Sequence, residues 1–206
     1  MQRLGLSRQT AELAGSDDHP VWMHPIEFSQ IEAVLQTLAP VRMVEWGSGG
    51  SSRAWLDMLP SLELLWSVEH NVEWAEKVRN DIEDPRFHLV HEAPIGTEEP
   101  EFIPRNSESG HIHREWCLLL EQDASIMARY IESPTNANVT FDVALVDGRA
   151  RIHCLRKAFE LVRPGGMVIL HDAQREEYHA TVHDLGTPVF LEPWVQGQVC
   201  LIRVPN

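Results

Sequence analysis

Positive charge is in short supply: 17 Lys and Arg face 31 Asp and Glu, a formal net charge of −14 at pH 7. A field of that sign repels phosphate backbones and anionic bilayers, so binding of nucleic acid or a membrane surface through bulk charge is disfavoured. Only a local basic cluster remains available for an anion. Cysteine is scarce as well. Cys117, Cys154 and Cys200 are odd in number and far apart, a pattern that fits reduced thiols in a cytoplasmic protein and not a disulfide framework. No apolar run approaches bilayer length, and Met1 to Gly15 carries Arg3, Arg8 and Glu12 where a secretion signal needs an apolar core. Repeats and low-complexity tracts are also missing. What is present, 206 residues with 43% hydrophobic and 23% charged, is the composition of a globular domain with one sizeable core.

The pattern predicts a polar N-terminal extension over residues 1–24, then one α/β domain over 25–206. Pro25 suits the first turn of a helix whose apolar face is Ile31, Val34, Leu35 and Leu38. Strands are expected over Val41–Trp46, Leu62–Val68, Phe87–His91, Phe141–Val146 and Met167–Leu170, alternating with helices over Ser51–Leu59, around Trp74–Ile82, over Ile152–Val162 and over Gln174–His183. Between 93 and about 113 the alternation lapses into a proline- and acid-rich stretch that reads as a loop insertion, after which His113–Ser133 resumes a helical period. Arg163-Pro164-Gly165-Gly166 reads as a turn. Pro188–Leu191 and Val199–Val204 read as a terminal hairpin, which makes seven strands.

The most informative segment is Val44-Glu45-Trp46-Gly47-Ser48-Gly49-Gly50-Ser51-Ser52. A buried strand, a glycine turn and a helix open a doubly wound sheet, and the glycines let backbone N–H groups approach a ligand that a Cβ would block. The turn alone suits several nucleotide-type cofactors. Glu45 precedes it, placed to accept hydrogen bonds from a ligand ammonium but to repel a pyrophosphate. Glu69 ends the next strand, nineteen residues past Gly50, placed to take both hydroxyls of a ribose.

Glu45-Trp46-Gly47-Ser48-Gly49, Ser67-Val68-Glu69-His70, Phe141 to Gly148, and Val162 to Leu170 together resemble the class I S-adenosylmethionine-dependent methyltransferases, in the family's order and over about residues 41 to 172. The resemblance implies a doubly wound Rossmann-like seven-stranded sheet, mostly parallel, with an antiparallel last strand from the C-terminal hairpin. It implies S-adenosylmethionine as cofactor, with Gly47, Ser48, Gly49 and Ser52 along its methionine part and Glu45 at the ammonium. Glu69 then takes the ribose, His70 stacks on adenine or packs beside the ribose, with a satisfied surface histidine as the alternative, and Glu92 with Ala93 meets the adenine edge. Asp147-Gly148-Arg149-Ala150-Arg151 and His171 to Tyr178 look more narrowly like a bacterial subgroup of these enzymes, a likeness that names no substrate.

Asp147 and His171-Asp172 end neighbouring strands and are the candidate catalytic residues, with His171 the expected proton acceptor and Asp172 or Asp147 orienting it; the alternative is that His171-Asp172 closes the strand and caps the next helix. In the metal-dependent catechol-type members an asparagine follows the second aspartate; Ala173 stands there instead. That removes a hard oxygen ligand, so Mg²⁺ is the less favoured reading and no metal residue is assigned. Arg149, Arg151 and Arg175 cluster near the same edge as candidates for an acceptor's carboxylate or phosphate, with surface pairing to Asp147, Glu176 or Glu177 as the alternative. His111, His113 and Cys117 have a faint metal-like spacing, outweighed by a solvated loop. The expected activity is methyl transfer to oxygen or nitrogen of a small, anionic molecule, by a cytoplasmic protein that needs no nucleic acid or membrane and has a homodimer as its possible assembly. An NAD-dependent oxidoreductase and a non-catalytic cofactor-binding protein stay open beside it.

Overall fold

The computed structural model describes residues 21–100, 108–194 and 196–206. Residues 1–20 of the expected extension, 101–107 of the expected insertion, and Val195 in the terminal hairpin's loop lie outside them. In chain order the elements are α1 (Pro25–Leu38), β1 (Arg42–Trp46), α2 (Gly50–Met58), β2 (Leu64–Glu69), α3 (Val72–Asp81), β3 (Phe87–His91), α4 (Glu108–Gln122) and α5 (Ala128–Glu132). There follow a 3₁₀ turn (Ser133–Ala137), β4 (Phe141–Val146), α6 (Arg151–Leu161), β5 (Val162–Leu170), a second 3₁₀ turn (Glu176–Tyr178), α7 (His179–Leu185), β6 (Pro188–Phe190) and β7 (Cys200–Arg203).

The seven strands form one sheet in the order β3-β2-β1-β4-β5-β7-β6. All pairings from β3 to β5 are parallel, and β7 runs antiparallel to both β5 and β6. The doubly wound sheet with an antiparallel last strand is therefore present as expected. Because side chains alternate along a strand, each strand feeds two cores. Met43, Val143, Leu145 and Ile169 pack with Phe28, Ile31 and Leu35 of α1 and Trp55 of α2 on one face. Val44, Trp46, Val146 and Val168 pack with Trp116, Leu120, Tyr130, Leu155 and Val182 on the other.

Where the elements depart from the sequence pattern, side-chain or tertiary hydrogen bonds explain it. The helical period over 113–133 is cut because Asp123 Oδ1 accepts from Ser125 N (2.9 Å) and Ser125 Oγ (2.6 Å), a local turn that competes with helix. At its other end α4 begins at Glu108, so His111 and His113 lie on a helix and not in a loop. Arg163–Gly166 stays within β5, since Gly165 N donates to Val204 O (2.9 Å) and Val204 N to Gly166 O (3.0 Å); the irregularity is taken up as a register shift between Phe141 and Val143. The helix expected from Gln174 starts late because Gln174 Oε1 accepts from Gln198 N (2.8 Å) and Ala173 N donates to Gln198 O (2.7 Å), tying this stretch to the β6–β7 loop. Leu38, expected on the buried face of α1, is 41% exposed. Among the described residues no helix is long and apolar enough to cross a membrane.

Candidate functional site

Strand register brings distant positions to one edge. Trp46 lies level with Val68 and Val146, and Val146 with Leu170, so the next residue on each strand, Gly47, Glu69, Asp147 and His171, lines the carboxyl end. The ladder continues there: Gly47 N donates to Val68 O (2.9 Å), Asp147 N to Trp46 O (3.0 Å) and His171 N to Val146 O (3.1 Å). Strand order reverses between β1 and β4, which is where open α/β sheets receive ligands.

The β1 turn is built for close approach. Gly47 has φ +97°, and a Cβ there would stand 2.9 Å from Gly148 Cα; one on Gly148 would stand 2.0 Å from Tyr130 Oη. Ser48 N donates to Glu69 Oε2 (3.2 Å), Trp74 Nε1 to Ser48 O (2.7 Å) and Gly49 N to Ser52 Oγ (3.0 Å). Glu45 is fully buried. Its Oε1 accepts from Ser52 Oγ and from Ser67 Oγ (2.7 Å), the latter directly opposite on β2, whereas its Oε2 and Ser48 Oγ are buried with no hydrogen-bond partner. Burial pushes the Glu45 carboxyl up to about 7 against the two serine hydrogen bonds, with Asp147 and Glu69 adding repulsion.

Glu69 is nearly buried, and its Oε1 accepts from the N–H groups of His70 and Asn71 (both 2.8 Å). Burial alone would raise it; these bonds and the adjacent His70 hold it below the usual carboxylate range. His70 lies 2.9 Å from Glu69 Oε1 through Nδ1 and 3.0 Å from Glu99 Oε2 through Nε2. Glu99 also meets His113 Nε2 (3.1 Å) and Arg149 Nη2 (2.8 Å). This loop carboxylate thus joins the ends of β2 and β4, the two strands flanking the glycine turn. Arg149 rests over Trp116 (6.0 Å to the ring centroid), and its Nε is buried without a partner. Glu92 and Ala93 follow β3, two strands from β1: Glu92 N donates to Glu69 O (2.9 Å), its carboxylate is 3.7 Å from Arg129, and Ala93 is exposed.

At the β4 and β5 ends, His171 is held on both sides. Nδ1 is 2.7 Å from Asp147 Oδ1 and Nε2 is 2.9 Å from Glu27 Oε2 on α1. Burial would lower the imidazole, but the Asp147 charge and the two hydrogen bonds raise it to about 10. His171 is therefore an imidazolium with both N–H groups engaged, which leaves no nitrogen to accept a proton; that differs from the role expected of it. Asp172, at φ +58°, accepts from Gln174 (3.2 Å) and Arg175 (2.5 Å); burial raises its carboxyl, yet Arg151, His171 and Arg175 bring it down to about 2.

Arg151 follows the alternative set beside its part as a substrate contact, pairing with Asp147, although the guanidinium is buried and not at the surface. It is 4% exposed, and Nε donates to Gly148 O (2.9 Å), Nη1 to His171 O (2.5 Å), and Nη2 to Asp147 O (2.7 Å) and Asp147 Oδ1 (3.2 Å), with Nη1 3.5 Å from Asp172. It straps β4 to β5 and has no donor to spare. Its guanidinium bridges Asp147 and Asp172, the place a divalent cation would need, so this donor set does not fit Mg²⁺. Among the described residues no group of three His, Cys, Asp or Glu is spaced to hold a metal ion.

Three carboxylates in this network carried no expectation. Glu27 meets a histidine 144 positions away, Glu99 is one acid among several in its loop, and Glu121 caps α6 by accepting from Arg151 N (2.9 Å) and Ile152 N (2.8 Å). Only Glu27 had a local signal, three residues after His24, and that signal is a helix capping box.

No protein-family model and no curated protein matches this chain. Solved structures do. A methyltransferase-like protein from Silicibacter pomeroyi is similar at TM-score 0.57 and 21% identity, covering 91% of this chain and 90% of that one. The O-methyltransferase from Bacillus cereus in complex with SAH gives 0.58 and 16%, covering 95% and 87%. An SAH-bound methyltransferase from Podospora anserina gives 0.60 and 12%, covering 89% and 80%. The chain has the class I methyltransferase fold. At these identities the likeness speaks for the fold, and what this methyltransferase fold carries at its edge rests on the side chains above.

Proposed function

We propose that this protein transfers a methyl group from S-adenosylmethionine to an oxygen or nitrogen of a small, anionic molecule. The observation that carries the reading is Glu45: a fully buried carboxylate with one oxygen fixed by two serines and the other without a partner, beneath a glycine turn. Buried polar atoms are almost always paired, so an orphan there calls for a ligand donor, and an ammonium supplies one. The Gly47-Ser48-Gly49 turn lies along the methionine part, where its N–H groups are already engaged and Ser48 Oγ, buried without a partner, is the group free to meet the methionine carboxylate, with Ser52 fixing Glu45. Glu69 takes the ribose, His70 flanks it, and Glu92 with Ala93 borders the adenine. A pyrophosphate beside Glu45 would meet a carboxylate, which counts against NAD even though Glu69 would suit either cofactor's ribose.

The cofactor, when bound, supplies an activated methyl and its own leaving group, so the protein's work is alignment and exclusion of water. Asp147 keeps 19% of its side chain exposed against 6% for His171. Asp172 is 16% exposed but its carboxylate is taken by Gln174, Arg175 and Arg151, so Asp147 is the carboxylate assigned to the acceptor's proton or hydrogen bond while His171 and Arg151 hold it in place. Asp172 anchors Arg175, and Arg149 and Arg175, each only partly engaged, face an anionic acceptor. Isothermal titration of the folded protein with S-adenosylhomocysteine tests the reading: saturable binding with NAD inert is expected, and no binding would sink it.

A further inference from the structure

Glu27 stands apart from every residue assigned above. It sits in the first turn of α1 yet is 1% exposed, and beyond its capping bond to His24 its hydrogen bonds lead to His171 and the β6–β7 loop. Oε2 meets His171 Nε2 (2.9 Å) and His24 N (3.2 Å); Oε1 accepts from Gly197 N (2.5 Å) and Gln196 N (3.3 Å) in the β6–β7 loop. A Cβ on Gly197 would fall 2.7 Å from Asp172 Oδ1, 3.3 Å from Glu27 Oε2 and 3.4 Å from His171 Nε2, so the loop backbone lies directly against the cluster. One carboxylate therefore ties together the first helix, the last loop and, through the imidazole, the Asp147 side chain.

Capping alone does not require this. The N-terminus of α1 already has His24 Nδ1 accepting from Ile26 N (3.2 Å), and a solvated Glu at the third position serves a capping box as well. Burying a carboxylate is costly unless it is paired, and the pairing partner here is the ring that orients Asp147. The groups facing that ring are Asp147 from β4, Glu27 from α1 and Asp172 beside it, with Arg151 and Arg175 behind the aspartates. Glu27, Asp147 and Asp172 thus alternate with His171, Arg151 and Arg175, three negative charges against three positive.

We propose that Glu27 is a positioning residue for methyl transfer: by fixing His171 through Nε2 it orients Asp147 toward the acceptor, and by holding Gly197 it closes the β6–β7 loop over that end of the cleft. The inference rests on the methyl-transfer reading, with Asp147 as the group that meets the acceptor.

The test is Glu27→Gln and Glu27→Asp in the full chain. The His171 titration is followed by NMR, S-adenosylhomocysteine affinity by calorimetry, and labelled-methyl incorporation into a metabolite extract at saturating cofactor. In the wild type the two facing carboxylates should hold His171 up at about 10; in Glu27→Gln its titration should drop by at least about one pH unit, the effect of losing one close opposite charge. Methyl incorporation should fall about 100-fold, as expected of a misplaced catalytic group, with homocysteine-ligand affinity unchanged and Glu27→Asp recovering part of both. An unmoved His171 titration would overturn the proposal, as would a moved titration with full methyl incorporation. Failure of the wild type to bind S-adenosylhomocysteine would instead strike the methyl-transfer reading itself.

Discussion

If Glu45 receives the ammonium of the ligand, binding must be linked to its proton. The carboxyl is held at about 7 in place of 4.5, and that difference of about 2.5 pH units corresponds to about 3 kcal/mol for ionising it in the free protein. The sign follows from the direction. With its folded value raised, Glu45 makes the unliganded protein lose stability as pH climbs from about 4.5 to 7, and an arriving ammonium favours the ionised form. S-adenosylhomocysteine affinity should therefore be flat just above pH 7 and weaken about tenfold per pH unit below it, with one proton released on binding at pH 6. Calorimetry between pH 5.5 and 7.5, in two buffers of different ionisation enthalpy, counts that proton directly. Glu45→Gln should abolish both the slope and the proton release and weaken binding at pH 7.5 by about 2 kcal/mol, the worth of a charge-assisted hydrogen bond. Affinity that is independent of pH across this window, or a slope that survives in the glutamine variant, would refute the role given to Glu45.

Three further outcomes are expected. Gly148→Ala drives a methyl into the buried Tyr130 hydroxyl and should cost about 3 kcal/mol in a denaturant titration; Tyr130→Phe in the same chain should recover part of it, and an unshifted midpoint would mean the contact relaxes. Arg151→Ala strips donors from three carbonyls and two aspartates and should destabilise by about 3–5 kcal/mol, with Arg151→Lys a poor substitute in thermal melts because one ammonium cannot span the fork. Glu99→Gln loosens the link between the β2 and β4 ends and should speed S-adenosylhomocysteine dissociation about tenfold in stopped-flow; an unchanged rate would show that this link does not help retain the ligand.

Much of the sheet was legible because each strand carries its own local mark. Val41–Trp46 is apolar and followed by glycine, and Phe87–His91 and Phe141–Val146 are bounded by turn residues, so their limits agree with the structure within a residue. Misreadings fell where hydrogen bonds from side chains or from distant strands overrode pattern: the Asp123–Ser125 turn inside a helical period, the Arg163–Gly166 stretch drawn into β5 by Val204, and the late start of α7 imposed by Gln198. The glycine turn with Glu45 and Glu69 could be read as one unit because their separation is set by a single β-α-β connection. The partners of Arg151 and His171 could not, since a guanidinium or imidazole in sequence reads the same whether it faces solvent or two buried carboxylates.

By itself the sequence determined the doubly wound order of elements and a glycine turn flanked by two acids, because helix and strand periods, glycine and charge act through near neighbours. Tertiary structure alone decided what the charged groups are for. Register set Gly47, Glu69, Asp147 and His171 on one edge, left one oxygen of Glu45 unpaired, made Arg151 a strap, and turned His171 into an imidazolium between Asp147 and Glu27. The physical reason is that proton affinity and hydrogen-bond capacity depend on burial and on partners brought from far along the chain, which only packing supplies.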